Sequence, residues 1–169
     1  MRTALAFAAL LALTPELASA QSSPSFLSVS ASLLKGPTPG ELLVRWAETG
    51  LPGGAVNYYL SGDASATYGC LAKNSQALCS EVTGATRRII WIVTDKQTTR
   101  QTTTLDEPPP ADDCASACQN AGGSLVIYQV EYGDVSVADL TNNVSAQVGG
   151  PFSYTFCNAS NLKSCPPPS

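Results

Sequence analysis

Apolar and polar residues alternate with a period of two in short segments between residues 26 and 105. In residues 42–47 (LLVRWA), Leu42, Val44 and Trp46 share one face of an extended strand, and the intervening residues face the other way. Gly- and Pro-rich turns separate such segments at intervals of about ten residues, which is typical of an all-β sandwich or barrel. The predicted strands are residues 26–31, 42–47, 56–60, 67–71, 77–82, 87–94 and 98–105.

The C-terminal part of the chain contains one predicted helical turn, followed by further strands. Cys114 and Cys118 are four residues apart, so a helix places both on one face. Asp112 and Asp113 precede them, where carboxylates suit the positive end of a helix dipole. The predicted strands that follow are residues 124–132, 134–140 and 152–156.

The N-terminus carries the pattern of a secretory signal peptide. Arg2 supplies a positive start, residues 4–13 are all apolar, and residues 18–20 (ASA) are small residues suited to cleavage before Gln21. A membrane span needs about 20 apolar residues, so this run is too short to be an anchor. We predict that residues 1–20 are removed and that the mature protein is secreted, extracellular and without a membrane span.

The cysteines indicate a disulfide framework. The chain contains six of them, an even number, and it contains no histidine that would favour a zinc site. A hairpin closed by residues 73–76 places Cys70 and Cys79 opposite each other, within reach of a disulfide. The predicted disulfide cysteines are Cys70, Cys79, Cys114, Cys118, Cys157 and Cys165.

The last four cysteines lie in a segment that is too small to fold well on buried apolar area alone. We predict that Cys114 and Cys118 pair with Cys157 and Cys165, in one order or the other. The segment either stands apart or completes the sheet of the preceding domain.

Residues 106–113 (DEPPPADD) form an acidic, Pro-rich linker between two parts of different charge. The predicted β-sandwich domain, residues 21–105, has seven basic and five acidic residues. The Cys-rich C-terminal segment, residues 114–169, contains Lys163 as its one basic residue. Because phosphate binding needs clustered Lys and Arg, we expect no nucleic-acid partner.

The available side chains argue against catalysis. Without histidine the chain lacks Ser-His-Asp and Cys-His machinery, and it contains no nucleotide-binding motif. Glu131 and Asp134 are three residues apart in a predicted strand and turn, so their carboxylates are expected to point apart rather than to flank a glycosidic bond. Together with Asp139 they lack the spacing of a calcium loop. We expect a protein that is not an enzyme and binds no cofactor or metal.

Three features carry a family resemblance. They are Trp46 at the end of its strand, the tyrosines of residues 58–59 after the next turn, and residues 81–84 (EVTG) before the apolar residues 89–93. In these features residues 24–107 resemble a fibronectin type III or immunoglobulin-like module. The resemblance implies an all-β sandwich of that type, followed here by a small disulfide-stapled, mostly β C-terminal segment.

A second resemblance involves Cys70, Cys79 and the basic-then-apolar residues 87–93. This arrangement is similar to the membrane-proximal part of uroplakin III-type ectodomains. The similarity implies a role in a cell-surface coat or in adhesion. Members of that family also carry a transmembrane helix, for which residues 21–169 show no pattern.

These observations predict a secreted, non-catalytic interaction module that binds an unidentified extracellular protein or glycan, with a role in cell-surface or matrix adhesion. The alternatives are a structural coat or matrix component and a secreted effector or inhibitor. For the last of these, the predicted contact residues are Lys73, Asn74, Ser75 and Gln76. Asn143 and Asn158 begin glycosylation sequons and are the predicted N-glycan sites.

Overall fold

The computed structural model describes residues 23–35, 40–73, 75–93, 98–106 and 108–168. The predicted signal peptide, residues 1–20, lies outside the described residues. The described chain is mostly β and forms two sheets, as the alternation pattern predicts. None of the helices in these ranges is long and apolar enough to cross a bilayer.

Eight strands and two short helices follow one another along the described ranges. The first five strands are β1 (Ser25–Leu33), β2 (Leu42–Thr49), β3 (Gly54–Ala72), β4 (Ser75–Val93) and β5 (Thr98–Leu105). After them come helix α1 (Asp112–Asn120), β6 (Ser124–Asp139), β7 (Val144–Gly149), β8 (Phe152–Thr155) and a 3₁₀ helix (Leu162–Ser164).

The strands divide into two antiparallel sheets. Sheet A has three strands in the order β1-β2-β5. Sheet B has the order β4-β3-β6-β7, with β8 also paired to β6. Sheet B curls, and β1 of sheet A approaches β7 of sheet B. The two sheets therefore enclose one core.

Three pairs of predicted strands belong to single long strands, which are β3, β4 and β6. The predicted strands 56–60 and 67–71 both belong to β3, because inward and outward positions keep alternating between them. The inward positions there carry small residues, Gly62, Ala64 and Ala66, which do not look like core residues in the sequence. Packing at Gly62 is tight, since a Cβ there would lie 3.1 Å from Val135 Cγ2.

The hydrophobic core lies between the sheets and uses the predicted inward face of β2. Leu42, Val44 and Trp46 are all buried, which confirms the alternation predicted for that strand. The Trp46 ring packs edge-on against Tyr58 of β3, with ring centroids 5.2 Å apart. The other large members of the core are Leu51, Val56, Leu60, Tyr68, Leu105, Ile127, Val130, Tyr132, Val135 and Val137.

The C-terminal part of the chain completes sheet B rather than standing apart. The ladder between β6 and β3 runs from Tyr58 opposite Asp139 to Leu71 opposite Ser124. The Pro-rich stretch predicted as a linker also packs against the fold, because Pro108 is buried and its carbonyl accepts a hydrogen bond from the Tyr68 hydroxyl. The two parts that the sequence separates therefore share one sheet.

Candidate functional site

All six cysteines form disulfides, as predicted, but with a different connectivity. Cys70 of β3 is bonded to Cys118, and Cys79 of β4 is bonded to Cys114. The two cysteines on one face of α1 thus attach that helix to the β3–β4 hairpin. The predicted Cys70–Cys79 bridge is therefore wrong.

The length of the hairpin turn explains the error. A loop of residues 73–76 would place Cys70 opposite Cys79, but Ala72 pairs with Ser75. This shorter turn places Cys70 opposite Ala77, two residues away from Cys79 along β4. Along the hairpin, Cys70 and Cys79 are offset by two strand residues, which span about 6.7 Å. On α1, Cys114 and Cys118 are four helical residues apart, a rise of about 6 Å. The two spacings match, so the helix can bond to both strands.

The third disulfide joins Cys157 to Cys165, with their Cα atoms 5.0 Å apart. The predicted pairing of these cysteines with Cys114 and Cys118 is also wrong, because α1 turns its cysteines toward the hairpin. The bridge closes a loop that contains the 3₁₀ helix, whose Leu162 is buried against Val126 of β6. A second, smaller core forms there.

The contact between α1 and the hairpin leaves no room for a side chain at Gly123. A Cβ at this position would lie 2.7 Å from Cys70 Sγ and 3.0 Å from the Leu71 carbonyl oxygen. We expect Gly123→Ala to lower the free energy of unfolding by about 2 kcal/mol, because the packed neighbours must shift. Gly133→Ala is the matched control, since a Cβ there meets nothing within 4 Å. Equal stabilities of the two variants in urea denaturation would contradict this packing.

The contact residues predicted from the sequence lie at the end of the β3–β4 hairpin. Lys73 and Gln76 are exposed, and Ser75 begins β4. Asn74 lies outside the described residues. The tip is therefore a candidate contact surface by the exposure of Lys73 and Gln76.

Both predicted glycosylation sites are exposed. Asn143 lies in the turn between β6 and β7, with a left-handed backbone at φ 56°. Asn158 lies in the Cys157–Cys165 loop, and its Oδ1 accepts a hydrogen bond of 2.8 Å from the Ser160 hydroxyl. Both asparagines can therefore be reached from solvent, and their use for glycans stays a prediction.

The three carboxylates considered for catalysis or calcium do not converge. Glu131 and Asp134 are exposed on β6, whereas Asp139 is buried at its end. Within the described ranges, no three Asp, Glu, Cys or His side chains are grouped so that they could hold a metal ion. The Glu131 carboxylate instead accepts a hydrogen bond of 2.7 Å from Gln129.

A buried polar cluster between the sheets was not predicted. Glu48 of β2 is fully buried, and its Oε2 accepts a hydrogen bond of 2.6 Å from the Tyr58 hydroxyl. Asp139 lies directly opposite Tyr58 in the ladder between β6 and β3, and it accepts hydrogen bonds from the backbone N–H groups of Thr141 and Asn142. Burial, together with the nearby Asp139 carboxylate, raises the pKa of Glu48 to about 7. This cluster is closed to solvent and links the sheets.

An accessible groove lies on the outward face of sheet A, with a volume of about 410 Å³. Because Trp46 and Glu48 point inward along β2, Arg45 and Ala47 point outward. We call this surface the arginine face and define it by the lining residues Ser28, Ser30, Arg45, Ala47, Arg100 and Thr102.

The pairing of three strands assembles the arginine face. Arg45 pairs with Ser30 on β1 and with Thr102 on β5, while Ala47 pairs with Arg100. Arg45 and Arg100 are therefore diagonal neighbours on one face, a relation that separates backbone positions by about 7–8 Å. Both arginines are exposed. The face can present two positive charges side by side to one ligand.

Comparison with models of protein families and with curated proteins finds no match to this chain. The functional interpretation therefore rests on the geometry of the described surfaces.

Proposed function

We propose that this chain is a secreted, non-catalytic recognition module that binds an extracellular protein or glycan through the arginine face. In such a module a rigid sandwich presents one surface to a cell-surface or matrix partner. The single observation that carries the proposal is the outward groove of sheet A, where two arginines and several hydroxyl side chains converge without any carboxylate among the lining residues.

The order of the strands supports an immunoglobulin or fibronectin type III scaffold. If β1, β2 and β5 are strands A, B and E, then β4, β3, β6 and β7 correspond to C′, C, F and G. The chain differs from that plan in the curl of sheet B and in helix α1, which lies between β5 and β6. Scaffolds of this class carry many binding functions, so the surface and not the fold supports recognition.

The cysteines support an extracellular location. Three disulfides cross-link the described chain, two of them between elements that are far apart in sequence, and such bonds persist in oxidising compartments. The bonds hold α1 and the C-terminal loop against sheet B. A protein that works outside the cell gains resistance to unfolding from such cross-links.

Binding of the purified protein to intact cells, measured by flow cytometry with a fluorescent label, tests the proposal. We expect saturable binding that Arg45→Gln/Arg100→Gln weakens about tenfold, because two exposed charged contacts are lost. The matched control is Lys73→Gln/Lys163→Gln, which removes the same charge from exposed lysines away from the groove.

The two variants separate the candidate surfaces. Binding that survives the arginine substitutions but fails in the lysine variant would move the contact to the hairpin tip or the C-terminal loop and reject the arginine face. No binding to any cell or matrix preparation, with folded protein, would reject the recognition function itself.

A further inference from the structure

We infer that the partner of the arginine face is a sulfated polysaccharide, an inference that rests on the proposed function. The first ground is charge. Arg45 and Arg100 line the same groove, and the nearest carboxylate on β2, Glu48, points to the opposite side of the sheet. Guanidinium groups bind sulfate through paired N–H donors, so the groove is complementary to an anionic ligand.

The second ground is the spacing of the two arginines. Diagonal neighbours on a sheet are separated by about 7–8 Å at the backbone. A ligand that engages both needs two anionic groups close together, and sulfated polysaccharides carry such groups on successive sugar units. A glycan with a single terminal charge engages only one arginine. The arrangement therefore favours a repeating polyanion.

The third ground is the composition of the groove around the charges. Ser28 and Ser30 on β1 and Thr102 on β5 flank the arginines, and their hydroxyls both donate and accept hydrogen bonds. Sugar hydroxyls have the same dual character. A volume of about 410 Å³ lies within the range of small-ligand sites.

A protein partner fits this surface less well. Protein interfaces depend on buried aromatic and apolar anchors at their centre. Here Trp46 is only 2% exposed and points into the core, which leaves Leu27 as the one large apolar side chain exposed at the groove. Single-stranded nucleic acid also binds through aromatic stacking, which the described lining does not offer.

Fluorescence anisotropy with a labelled heparin-derived hexasaccharide tests this inference on the disulfide-bonded protein. We expect saturable binding that weakens with added salt, that is lost with the desulfated hexasaccharide, and that falls about tenfold in Arg45→Gln/Arg100→Gln. Lys35→Gln/Lys163→Gln, which removes two exposed lysines outside the groove, is expected to bind like the unmodified protein. Circular dichroism and thermal midpoints establish that each variant is folded.

The outcomes distinguish this inference from the function on which it rests. Equal weakening by both double variants would show unspecific charge attraction and overturn the inference. If cells are bound through the arginines but the hexasaccharide is not, the recognition function stands and the partner is an acidic protein surface. Concentration-dependent sedimentation without added ligand, abolished by the arginine substitutions, would instead identify a second copy of the chain as the partner and also overturn the inference.

Discussion

Removing both disulfides that hold α1 is expected to lower the free energy of unfolding by about 7 kcal/mol. The Cys79–Cys114 bond spans 35 residues, and closing a loop of that length stabilises the native state by about 4 kcal/mol. The Cys70–Cys118 bond lies outside the first bond in sequence. Once the first bond has formed, the second closes only a short additional loop, which is worth about 3 kcal/mol. Because whole domains are stable by about 5–15 kcal/mol, alanine at all four positions leaves little folded protein.

The third disulfide supplies the control. Cys157 and Cys165 are separated by eight residues, so replacing both by alanine is expected to cost only about 2 kcal/mol. Urea denaturation without reductant, followed by circular dichroism, gives the ranking. A four-alanine variant as stable as the Cys157→Ala/Cys165→Ala variant would show that the two bonds to α1 do not add the expected stability. Peptide mapping that finds Cys70 joined to Cys79 would reject the connectivity itself.

The connectivity shows where local sequence patterns stop being informative. Alternation along β2 correctly predicts which residues face the core, since a period of two follows from strand geometry alone. The pairing of the cysteines depends instead on the register of the hairpin. A difference of two residues in the length of the turn shifts this register. The spacing of Cys114 and Cys118 on α1 does not distinguish the predicted pairing of these cysteines from the observed one. The register therefore had to come from the structure.

The candidate surface could be predicted only in part for a similar reason. The outward direction of Arg45 follows from the alternation of its strand, but its neighbour Arg100 lies on β5, more than fifty residues later in the chain. Their placement on one face depends on the pairing of β2 with β5, which no local pattern specifies. Glu48 did carry a local signal, since it lies in phase with the inward Val44 and Trp46.

The second large effect concerns that buried carboxyl. The pKa of Glu48 is raised from 4.5 to about 7 in the folded protein, so between these values the native state holds a proton that the unfolded chain has lost. The contribution to stability is fully present below pH 4.5 and is lost as the pH rises through about 7. A shift of this size corresponds to about 3 kcal/mol.

Glu48→Gln is expected to remove this dependence. Glutamine keeps the shape of the protonated carboxyl, still accepts a hydrogen bond from the Tyr58 hydroxyl and does not titrate. Its stability should match that of the unmodified protein at low pH and exceed it by about 3 kcal/mol in mildly alkaline buffer. The comparison is made by urea denaturation across this pH range. Glu131→Gln, at an exposed position of β6, controls for the loss of one carboxylate.

The hydrogen bond from the Tyr58 hydroxyl acts on the pKa of Glu48 in the direction opposite to burial. Removing this bond therefore tests whether the pKa of Glu48 sets the pH dependence of stability. That bond favours the charged form of Glu48 and so lowers its pKa, against the larger effect of desolvation. In Tyr58→Phe the opposing bond is absent, and the pH at which stability falls should move upward, even though the variant is less stable overall. A downward movement would show that the Tyr58 bond favours the protonated form of Glu48. A stability profile in which Glu48→Gln runs parallel to the unmodified protein would show that Glu48 is ionised in the folded state. The link between sheets A and B would then depend on a buried charge, and Glu48→Gln should not stabilise the fold in mildly alkaline buffer.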